Sequence, residues 1–284
     1  MGFAVSVDGR VGRPEDVTLK VTDNGFVFGD SAYETLRTYG GRPFELDRHL
    51  QRLRRTIALM GFELPVGDEE LKARIDACLS FASNPESYLR VIVSRGVGDM
   101  SYRFERIPEP TVAMYVKPLE ATNPALYERG AAAVIVSIRR NPVEALNPAM
   151  KASNLLNNAL ASREAYAKGA LEAILLNTRG EVAEGAGSNV FIVKDGLLLT
   201  PPLSCGLLAG ITRELVLEIA VAEGIPHEER VLYPADLHSA DEMFVTSTLK
   251  ELAPVATLDG APVGTGRPGP MTQALLKAYR ARIA

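Results

Sequence analysis

The chain has 284 residues, of which 46% are hydrophobic and 23% are charged, which is typical of a globular enzyme with one large domain or two smaller ones. Its net charge of −4 argues against nucleic acid as the main partner. No apolar run approaches the roughly 20 residues that span a bilayer, and the N-terminus lacks a signal-peptide pattern. The two cysteines and three histidines have neither disulfide-framework nor metal-ligand spacing. We therefore expect a cytoplasmic protein without a metal, membrane or nucleic-acid partner.

Residues 1–117 are predicted to form a small α/β domain. Strands are expected at 3–7, 17–20, 35–39, 88–94 and 111–117. Helices are expected at 47–60, capped by Asp47, and at 68–83. Residues 118–130 contain Pro124 and show no strong periodicity, so they are predicted to be an interdomain linker.

Residues 131–284 are predicted to form a larger second domain. Strands are expected at 133–138, 172–177, 181–193, 197–200 and 242–246. Helices are expected from about Ser153 to Gly169, at 211–223 and from Gln273 onward. The first of these helices is predicted to bury Leu155, Leu156, Ala159 and Leu160.

Lys151 is the first candidate for chemistry. It directly precedes the helix expected from Ser153, and a cation is unfavourable at the positive end of a helix dipole. An amine at such a position holds its proton less tightly, and an uncharged amine can attack a carbonyl. An isolated lysine is more often a solvated loop residue, so the downstream motifs decide between the two interpretations.

Three further motifs suit a phosphate. Gly210-Ile211-Thr212 opens a helix whose first amides would point at an anion. Thr246-Ser247-Thr248 ends a strand with clustered hydroxyls, and Arg52 could supply permanent charge. Taken singly, each has an ordinary structural explanation: a common helix start, a hydroxyl-rich strand end or a solvated arginine.

Glu184 lies in the stretch Glu184-Gly185-Ala186-Gly187, whose glycines would let a flat ring approach the chain. A carboxylate beside a pyridine nitrogen keeps that nitrogen protonated and makes the ring a better electron sink. The alternative is an exposed strand glutamate beside a glycine bulge.

The order of these motifs closely resembles the class IV aminotransferases, the fold-type IV pyridoxal-phosphate enzymes. This family includes branched-chain aminotransferases, D-amino-acid transaminases and aminodeoxychorismate lyases. The resemblance runs from Asn24–Asp30 to Gly266–Pro270 and is most specific in Glu184–Phe191 followed by Gly210–Arg213. It implies a two-domain α/β (α+β) fold with a small N-terminal α/β domain and a larger C-terminal pseudo-barrel domain. It also implies a homodimer whose active site lies between the domains and borrows residues from the second subunit.

The resemblance also assigns roles to individual residues. Lys151 would carry pyridoxal 5'-phosphate covalently and act as the catalytic residue, while Glu184 would bind the pyridine nitrogen. The candidate cofactor-binding residues are Arg52, Lys151, Glu184, Gly210, Ile211, Thr212, Ser247 and Thr248. The candidate substrate-binding residues are Tyr33, Arg37, Tyr88, Arg90 and Leu249.

The substrate motifs point in more than one direction. Tyr88-Leu89-Arg90 resembles the Tyr-x-Arg strand of branched-chain aminotransferases, which favours transfer between an apolar amino acid and a 2-oxo acid. Ala152–Leu156 instead resembles D-amino-acid transaminases and aminodeoxychorismate lyases, because Leu156 replaces the usual tyrosine. Arg103-Phe104-Glu105 is the nearest stretch to the Arg-x-His trap of D-amino-acid transaminases. D-amino-acid or (R)-amine transamination and pyruvate-releasing lyase activity therefore remain alternatives. A non-catalytic phosphate- or nucleotide-binding α/β protein is a further one, but it has no use for Lys151 and Glu184 together.

Overall fold

The computed structural model describes residues 2–99, 101–103 and 109–283, and the chain forms two compact units. The first unit comprises Met1–Ala121 and Met150–Asn154, and the second comprises Thr122–Ala149 and Leu155–Ala284. The predicted division at residues 118–130 stays a prediction. The short segment that carries Lys151 is grouped with the first unit, whereas the sequence interpretation placed it in residues 131–284.

The first unit is built on a sheet covered by two long helices. Its elements are β1 Ala4–Val7, β2 Arg10–Gly12, α1 Asn24–Phe28, β3 Ser31–Tyr39, β4 Arg42–Pro43, α2 Leu46–Leu59, α3 Asp68–Ala82, β5 Ser87–Ser94 and β6 Thr111–Pro118. Within the described residues the sheet has six strands in the order β2-β1-β6-β5-β3-β4, all paired antiparallel. The fold of this unit therefore needs no crossover connection between parallel strands.

Strand alternation gives this sheet two different faces. In β5, Leu89, Val91 and Val93 are fully buried, while Tyr88 and Arg90 are only partly buried on the opposite face. The apolar face packs against α2 and α3, whose core residues include Leu50, Leu53, Ile57, Leu71, Ile75 and Cys78. The other face is free to carry polar and aromatic side chains.

The second unit is built on a larger sheet. Its elements are α4 Ala125–Arg129, β7 Ala131–Ile135, α5 Leu156–Ala167, β8 Glu172–Leu176, β9 Val182–Gly185, β10 Asn189–Lys194, β11 Leu197–Thr200, α6 Ile211–Ala222, β12 His227–Glu229, α7 Pro234–His238, β13 Glu242–Ser247, β14 Glu251–Leu258, β15 Ala261–Pro262 and α8 Pro270–Ala281. Within the described part of the chain this sheet has nine strands, in the order β12-β11-β10-β13-β14-β7-β8-β9, with β15 paired to β14. The β11–β12, β7–β14 and β7–β8 pairs are parallel, and the remaining pairs are antiparallel.

Two N-terminal predictions are wrong. No strand forms at 17–20, because β1 instead pairs with Arg10–Gly12 through a two-residue turn. Asp8 and Gly9 have φ values of 51° and 87°, the positive values of a type I′ turn, which returns the chain at once. Asp47 does not cap α2 either: the cap position is Glu45, which makes no side-chain capping bond, and Asp47 lies in the first turn.

Two predictions in the second unit also need correction. The predicted strand 181–193 is divided into β9 and β10 by residues 186–188. Helix α5 begins at Leu156 rather than near Ser153, and it buries Ala161 and Ala165 instead of the predicted residues. Leu156 is 69% exposed. The two alanines join a core cluster with Val134, Val136, Ala173 and Leu175, where small side chains let the helix lie close to the sheet.

Three further observations concern membrane-spanning helices, metal-site clusters and cysteines. None of its described helices has the length and apolar character needed to cross a bilayer. In the same residues, no cluster of His, Cys, Asp and Glu side chains has the arrangement of a metal site. Cys78 and Cys205 are both buried free thiols.

Candidate active site

The backbone of Lys151 is held on the edge of β3. Tyr33 N donates to Lys151 O at 2.9 Å, and Ser153 N donates to Ser31 O at 2.8 Å. On its other side, Lys151 N donates to Thr56 Oγ1 of α2 at 3.2 Å. Because α5 begins only at Leu156, Lys151 lies outside the turn where a helix dipole acts. The predicted dipole effect on its amine is therefore wrong, and the β3 edge positions this lysine instead.

The Lys151 amine contacts an aromatic ring that also contacts an arginine. Lys151 Nζ donates to Tyr33 Oη at 3.4 Å and lies 4.5 Å from the centroid of the Tyr33 ring. Arg90 Cζ lies 3.9 Å from the same centroid. Tyr33 thus has two cations against its ring, each stabilised by the ring quadrupole.

The four predicted substrate residues on β3 and β5 share the face of the first sheet that lies opposite its core. Cross-strand register pairs Arg37 with Tyr88 and places Arg90 two residues further along β5. On the other side of β5, Arg90 is paired with Tyr115 of β6. The rings of Tyr88 and Tyr115 are stacked with centroids 5.8 Å apart. Tyr115 was not predicted as a site residue, because its position opposite Arg90 depends on the register in which β5 pairs with β6.

Electrostatics on this face favour an anion. Burial alone would lower the pKa of Arg90, but the phenol groups of Tyr33, Tyr88 and Tyr115 raise it. Burial alone would raise the pKa of Tyr88, but hydrogen bonds with Thr35 and Tyr115 and the charge of Arg90 lower it. Arg90 Nε is buried and has no hydrogen-bond partner among the described residues. A buried donor of this kind is suited to a substrate carboxylate.

Arg52 belongs to a buried ionic cluster and is not solvated. Only 6% of Arg52 is exposed, and its Nε and Nη2 each donate to the Glu34 carboxylate at 2.7 Å. His49 Nδ1 lies 2.7 Å from the same carboxylate. Burial alone would raise the pKa of Glu34, but Arg52 and His49 lower it to about 2. The sequence interpretation missed Glu34 and His49, although His49 and Arg52 recur at helical spacing on α2.

This cluster predicts a specific acid sensitivity. Burial, together with the charges of Arg52 and Lys151, lowers the pKa of His49 below its ordinary value of 6.5, despite the opposing effect of Glu34. Below about pH 6.5 the unfolded chain therefore binds a proton that the folded chain does not, and stability falls as pH falls. Glu34 acts in the same direction between about pH 4.5 and about pH 2, where its shift is worth about 3 kcal/mol.

The measurement is the free energy of unfolding in denaturant between pH 7 and pH 5. We expect wild-type protein to lose more stability over this range than His49→Gln, which cannot take up the proton. Equal slopes for the two proteins would contradict the neutral state assigned to buried His49.

In the second unit, Glu184 is held by two donors. Arg140 Nε donates to Glu184 Oε1 at 2.7 Å, and the backbone N–H of Leu208 donates to Oε2 at 3.0 Å. Arg140 also donates to Asn157 Oδ1 at 3.3 Å. Both members of the ion pair are nearly buried, so the guanidinium compensates a carboxylate charge that burial would otherwise disfavour. Arg140 was not among the predicted site residues.

The glycines near Glu184 and α6 have different roles. A Cβ on Gly185 would lie 2.1 Å from Ser188 Oγ, and a Cβ on Gly210 would lie 1.9 Å from Asn189 Oδ1. A Cβ on Gly187 would meet no other atom within 4 Å. Gly185 and Gly210 are therefore required by close packing inside the unit, while open space lies next to Gly187.

The start of α6 has the donor set of a phosphate site. Gly210 is the N-cap, so Ile211 and Thr212 lie in the first turn, where helix amides have no carbonyl of the same helix to bind. Thr212 Oγ1 is buried without a hydrogen-bond partner among the residues that the structure describes, and so is Thr246 Oγ1 at the end of β13. Asn189, which packs against Gly210, is the cross-strand neighbour of Thr246. These unpartnered donors fit the phosphate of the implied cofactor.

The remaining predicted residues follow β13. Thr248 and Leu249 lie in the turn that joins β13 to β14, and both are partly buried. Ser247 Oγ accepts a hydrogen bond from the N–H of Lys250 at 3.2 Å, so this hydroxyl helps to close the turn. In the first unit, Arg103 is exposed, and the other two residues of the stretch Arg103-Phe104-Glu105 lie outside the described residues.

Comparison with known proteins identifies the family. Residues 31–258 match the family described as amino-transferase class IV. A putative branched-chain-amino-acid aminotransferase of Methanocaldococcus jannaschii is 37% identical over 276 residues, which cover 97% of this chain and 95% of the relative. The chain belongs to the class IV aminotransferase family.

Two further similarities show the range of this family. A D-alanine aminotransferase of Bacillus licheniformis is 32% identical over 98% of this chain and 96% of its own length. The crystal structure of a T.th. branched-chain amino acid aminotransferase with pyridoxamine 5'-phosphate has a TM-score of 0.92, 28% identity, and coverage of 99% of this chain and 93% of that one. The class IV aminotransferase fold and enzymatic activity predicted from the motifs are thereby confirmed.

Class IV aminotransferases use pyridoxal 5'-phosphate, so the cofactor predicted from Lys151 and Glu184 is confirmed at the level of the family. A non-catalytic phosphate- or nucleotide-binding protein is correspondingly set aside. The similar proteins include both branched-chain and D-alanine aminotransferases, which agrees with the mixed substrate motifs of the sequence.

Proposed function

We propose that this class IV aminotransferase moves an amino group between an apolar amino acid of the branched-chain type and a 2-oxo acid. The observation that carries this proposal is the buried Arg90 Nε, which has no partner among the described residues and belongs to a guanidinium that packs on Tyr33 beside the Lys151 amine. A carboxylate bound to Arg90 would lie on the same sheet face as Tyr88, Arg37 and Tyr115.

The cofactor-binding roles follow the chemistry of each residue. Lys151 would bind the cofactor aldehyde through its amine, and Glu184 would hold a proton at the pyridine nitrogen. The phosphate is assigned to Arg52, the amides and hydroxyl at the start of α6, and the turn after β13: Gly210, Ile211, Thr212, Ser247 and Thr248. When bound, pyridoxal phosphate supplies a ring that accepts the charge left by removal of a substrate proton.

The substrate-handling roles are assigned to the first unit and one turn residue. The Lys151 amine would accept the proton from the substrate α-carbon, and the Tyr33 hydroxyl at 3.4 Å would orient that amine. Tyr88 and Arg90 hold the substrate carboxylate, and Arg37 supports Tyr88 across the strand pair. Leu249 is assigned to contact with the apolar side chain.

Transamination of a D-amino acid is the second candidate. It is supported by the 32% identity to a D-alanine aminotransferase and by Leu156, which stands where branched-chain enzymes have a tyrosine. Leu156 is largely exposed in α5, and no described contact gives it the role of that tyrosine. An (R)-amine and aminodeoxychorismate are the remaining family substrates to be tested.

A substrate panel tests these assignments. The holoenzyme is incubated separately with L-leucine and 2-oxoglutarate, with D-alanine and 2-oxoglutarate, with (R)-1-phenylethylamine and pyruvate, and with aminodeoxychorismate alone. The expected result is 4-methyl-2-oxopentanoate from L-leucine. Conversion of D-alanine or the (R)-amine only would replace the branched-chain proposal, and pyruvate from aminodeoxychorismate alone would identify a lyase.

The carboxylate role of Arg90 makes a separate prediction. Arg90→Gln is expected to lower kcat/KM for L-leucine about 10- to 100-fold, mainly through KM, because a hydrogen bond to a charged group is worth about 1.5 to 3 kcal/mol. Arg10→Gln is the control, since Arg10 is exposed on β2, at the edge of the same sheet and away from β5. Steady-state kinetics of both variants measure the effect, and an unchanged KM in Arg90→Gln would exclude a carboxylate at this arginine.

We also propose that the enzyme works as a homodimer in the cytoplasm. Large apolar side chains are exposed on both units, and Phe26 and Leu156 are each 69% exposed, which suits coverage by a second copy. Two buried free thiols suit a reducing compartment. Light scattering after size-exclusion chromatography measures the mass, and a monomeric holoenzyme at micromolar concentration would contradict the dimer.

A further inference from the structure

A stripe of buried polar residues on α2 meets one buried carboxylate of β3. His49, Arg52 and Thr56 recur at helical spacing and are almost completely buried, next to the apolar residues that face the core. The stripe meets Glu34 of β3, whose side chain has no exposed surface. Burying charged groups beside the apolar side of a helix carries a desolvation cost, so such a cluster is expected to have a function besides stability.

The Arg52–Glu34 pair fixes the orientation of a guanidinium. Arg52 donates from Nε to one carboxylate oxygen and from Nη2 to the other, each at 2.7 Å. This bidentate geometry prevents rotation of the guanidinium plane unless two charge-assisted hydrogen bonds break. The direction of the third nitrogen, Nη1, is therefore set by Glu34.

His49 holds the carboxylate from a second side. A carboxylate only accepts hydrogen bonds, so His49 Nδ1 must carry the proton of the 2.7 Å contact with Glu34 Oε2. Because buried His49 is neutral, its Nε2 carries no proton, and this atom has no hydrogen-bond partner among the described residues. His49 therefore cannot donate to an anion through Nε2, and Arg52 is the residue of this trio that can.

We propose that Glu34 is a positioning residue for the cofactor phosphate: it holds Arg52 in one orientation before the phosphate arrives. This role rests on the proposed function, in which Arg52 binds the phosphate. A preformed guanidinium loses less side-chain freedom on binding than a mobile one, and this smaller loss of entropy strengthens affinity.

A competing electrostatic effect would change the affinity for the phosphorylated cofactor in the opposite direction. Glu34 also offsets the charge of Arg52, so removing its charge leaves a stronger positive potential for a dianion. If Glu34 were only a counterion, Glu34→Gln would bind the phosphorylated cofactor more tightly. If Glu34 positions Arg52, the same variant binds it more weakly.

The test compares the phosphorylated cofactor with its unphosphorylated form. Apoenzyme prepared from the full-length holoenzyme is titrated with pyridoxal phosphate and with pyridoxal, which share the ring and aldehyde but not the phosphate. The readout is the ratio of the two dissociation constants from absorbance changes. A general folding defect weakens both ligands, whereas a misplaced Arg52 weakens only the phosphorylated one.

We expect Glu34→Gln to raise the dissociation constant of pyridoxal phosphate about tenfold relative to that of pyridoxal, which is the scale of ordering one long side chain. Arg52→Gln should change it about 10- to 100-fold, as expected for lost hydrogen bonds to a charged group. Adding Glu34→Gln to Arg52→Gln should change nothing further, because the positioning residue then has nothing to position. Glu242→Gln is the matched control: Glu242 is a nearly buried carboxylate bonded to the first amides of α8, and its loss should leave the ratio unchanged.

The outcomes distinguish the positioning role of Glu34 from the assignment of the phosphate to Arg52. An unchanged or improved ratio in Glu34→Gln, with a large loss in Arg52→Gln, overturns the positioning role and leaves the phosphate assignment intact. An unchanged ratio in Arg52→Gln overturns that assignment and with it the role of Glu34. If Glu34→Gln does not fold, Glu34→Asp provides the same test, since it keeps the charge but moves it away from Arg52. Its effect on the ratio should likewise disappear when Arg52→Gln is added.

Discussion

Replacing Lys151 by alanine is expected to lower the transamination rate by at least about 10³-fold, because the same amine binds the cofactor and transfers the substrate proton. The edge of β3 presents this amine in a fixed place: its backbone is held by Tyr33 and Thr56, and its Nζ contacts Tyr33 Oη. The variant should also lose covalent cofactor attachment, measured by borohydride reduction and mass spectrometry of the Lys151 peptide.

A second lysine provides the control. Lys168 follows α5, is half exposed and pairs with Glu164 at 2.7 Å, so Lys168→Ala should retain full activity and attachment. Added ethylamine should partly restore proton transfer in Lys151→Ala, since a small amine can occupy the space of the missing side chain. A Lys151→Ala protein that turns over at the wild-type rate, or in which borohydride still links the cofactor to the chain, would contradict the assignment.

The elements with strong periodicity could be predicted from the sequence. Alternation in β5 and β6 gave strands that differ from the structure by one residue at an end, and β11 was predicted with its observed bounds. Helix α6 begins at the predicted Ile211, because Gly210 and the apolar spacing after it are both local signals. Where local patterns agree with the tertiary environment, the sequence is sufficient.

Elements that depend on contacts distant in sequence could not be predicted. β14 lies between β13 and β7 in the larger sheet, but it contains Pro254, which strand interiors rarely accept. Helix α5 was predicted, but its buried side was not, since small alanines rather than leucines meet β8. The space between the helix and the sheet decides whether alanines or leucines are buried, and the helical spacing of apolar residues carries no information about that space.

The same distinction applies to the candidate site. Lys151 and Glu184 were found because their motifs occur in a specific order along the chain. Glu34, Arg140 and Tyr115 were missed because each gains its significance from a contact across elements: with Arg52, with Glu184 and with Arg90. Charged residues of this kind look like ordinary surface residues until burial and pairing are known.

Replacing Glu184 by glutamine is the second change with a large expected effect. Glutamine keeps the size of the side chain and one acceptor, but it cannot hold a proton at the pyridine nitrogen by charge. We expect the rate of the half-reaction with L-leucine to fall about 10²- to 10³-fold, the scale for loss of one electrostatic stabiliser in an active site. Stopped-flow absorbance of the bound cofactor measures this rate separately from product release.

The ion pair with Arg140 complicates this experiment in a predictable way. Glu184→Gln leaves a nearly buried guanidinium without its carboxylate, which typically costs about 3 to 5 kcal/mol of stability. The double variant Glu184→Gln/Arg140→Met removes that charge and should recover part of the stability. It should not recover the rate, because the charge beside the pyridine nitrogen is still missing.

Two other variants test whether the charge of Glu184 is what matters: Glu184→Asp and the control Glu181→Gln. Glu184→Asp retains the charge but shortens the side chain, so it should lose less activity than Glu184→Gln. Glu181→Gln removes a carboxylate that pairs with Arg179 in the turn before β9, and it should leave the half-reaction unchanged. If Glu184→Gln reacts as fast as wild type, Glu184 does not control the ring nitrogen. If instead the double variant regains both stability and rate, the loss came from the unpaired Arg140, and the role of Glu184 would be structural.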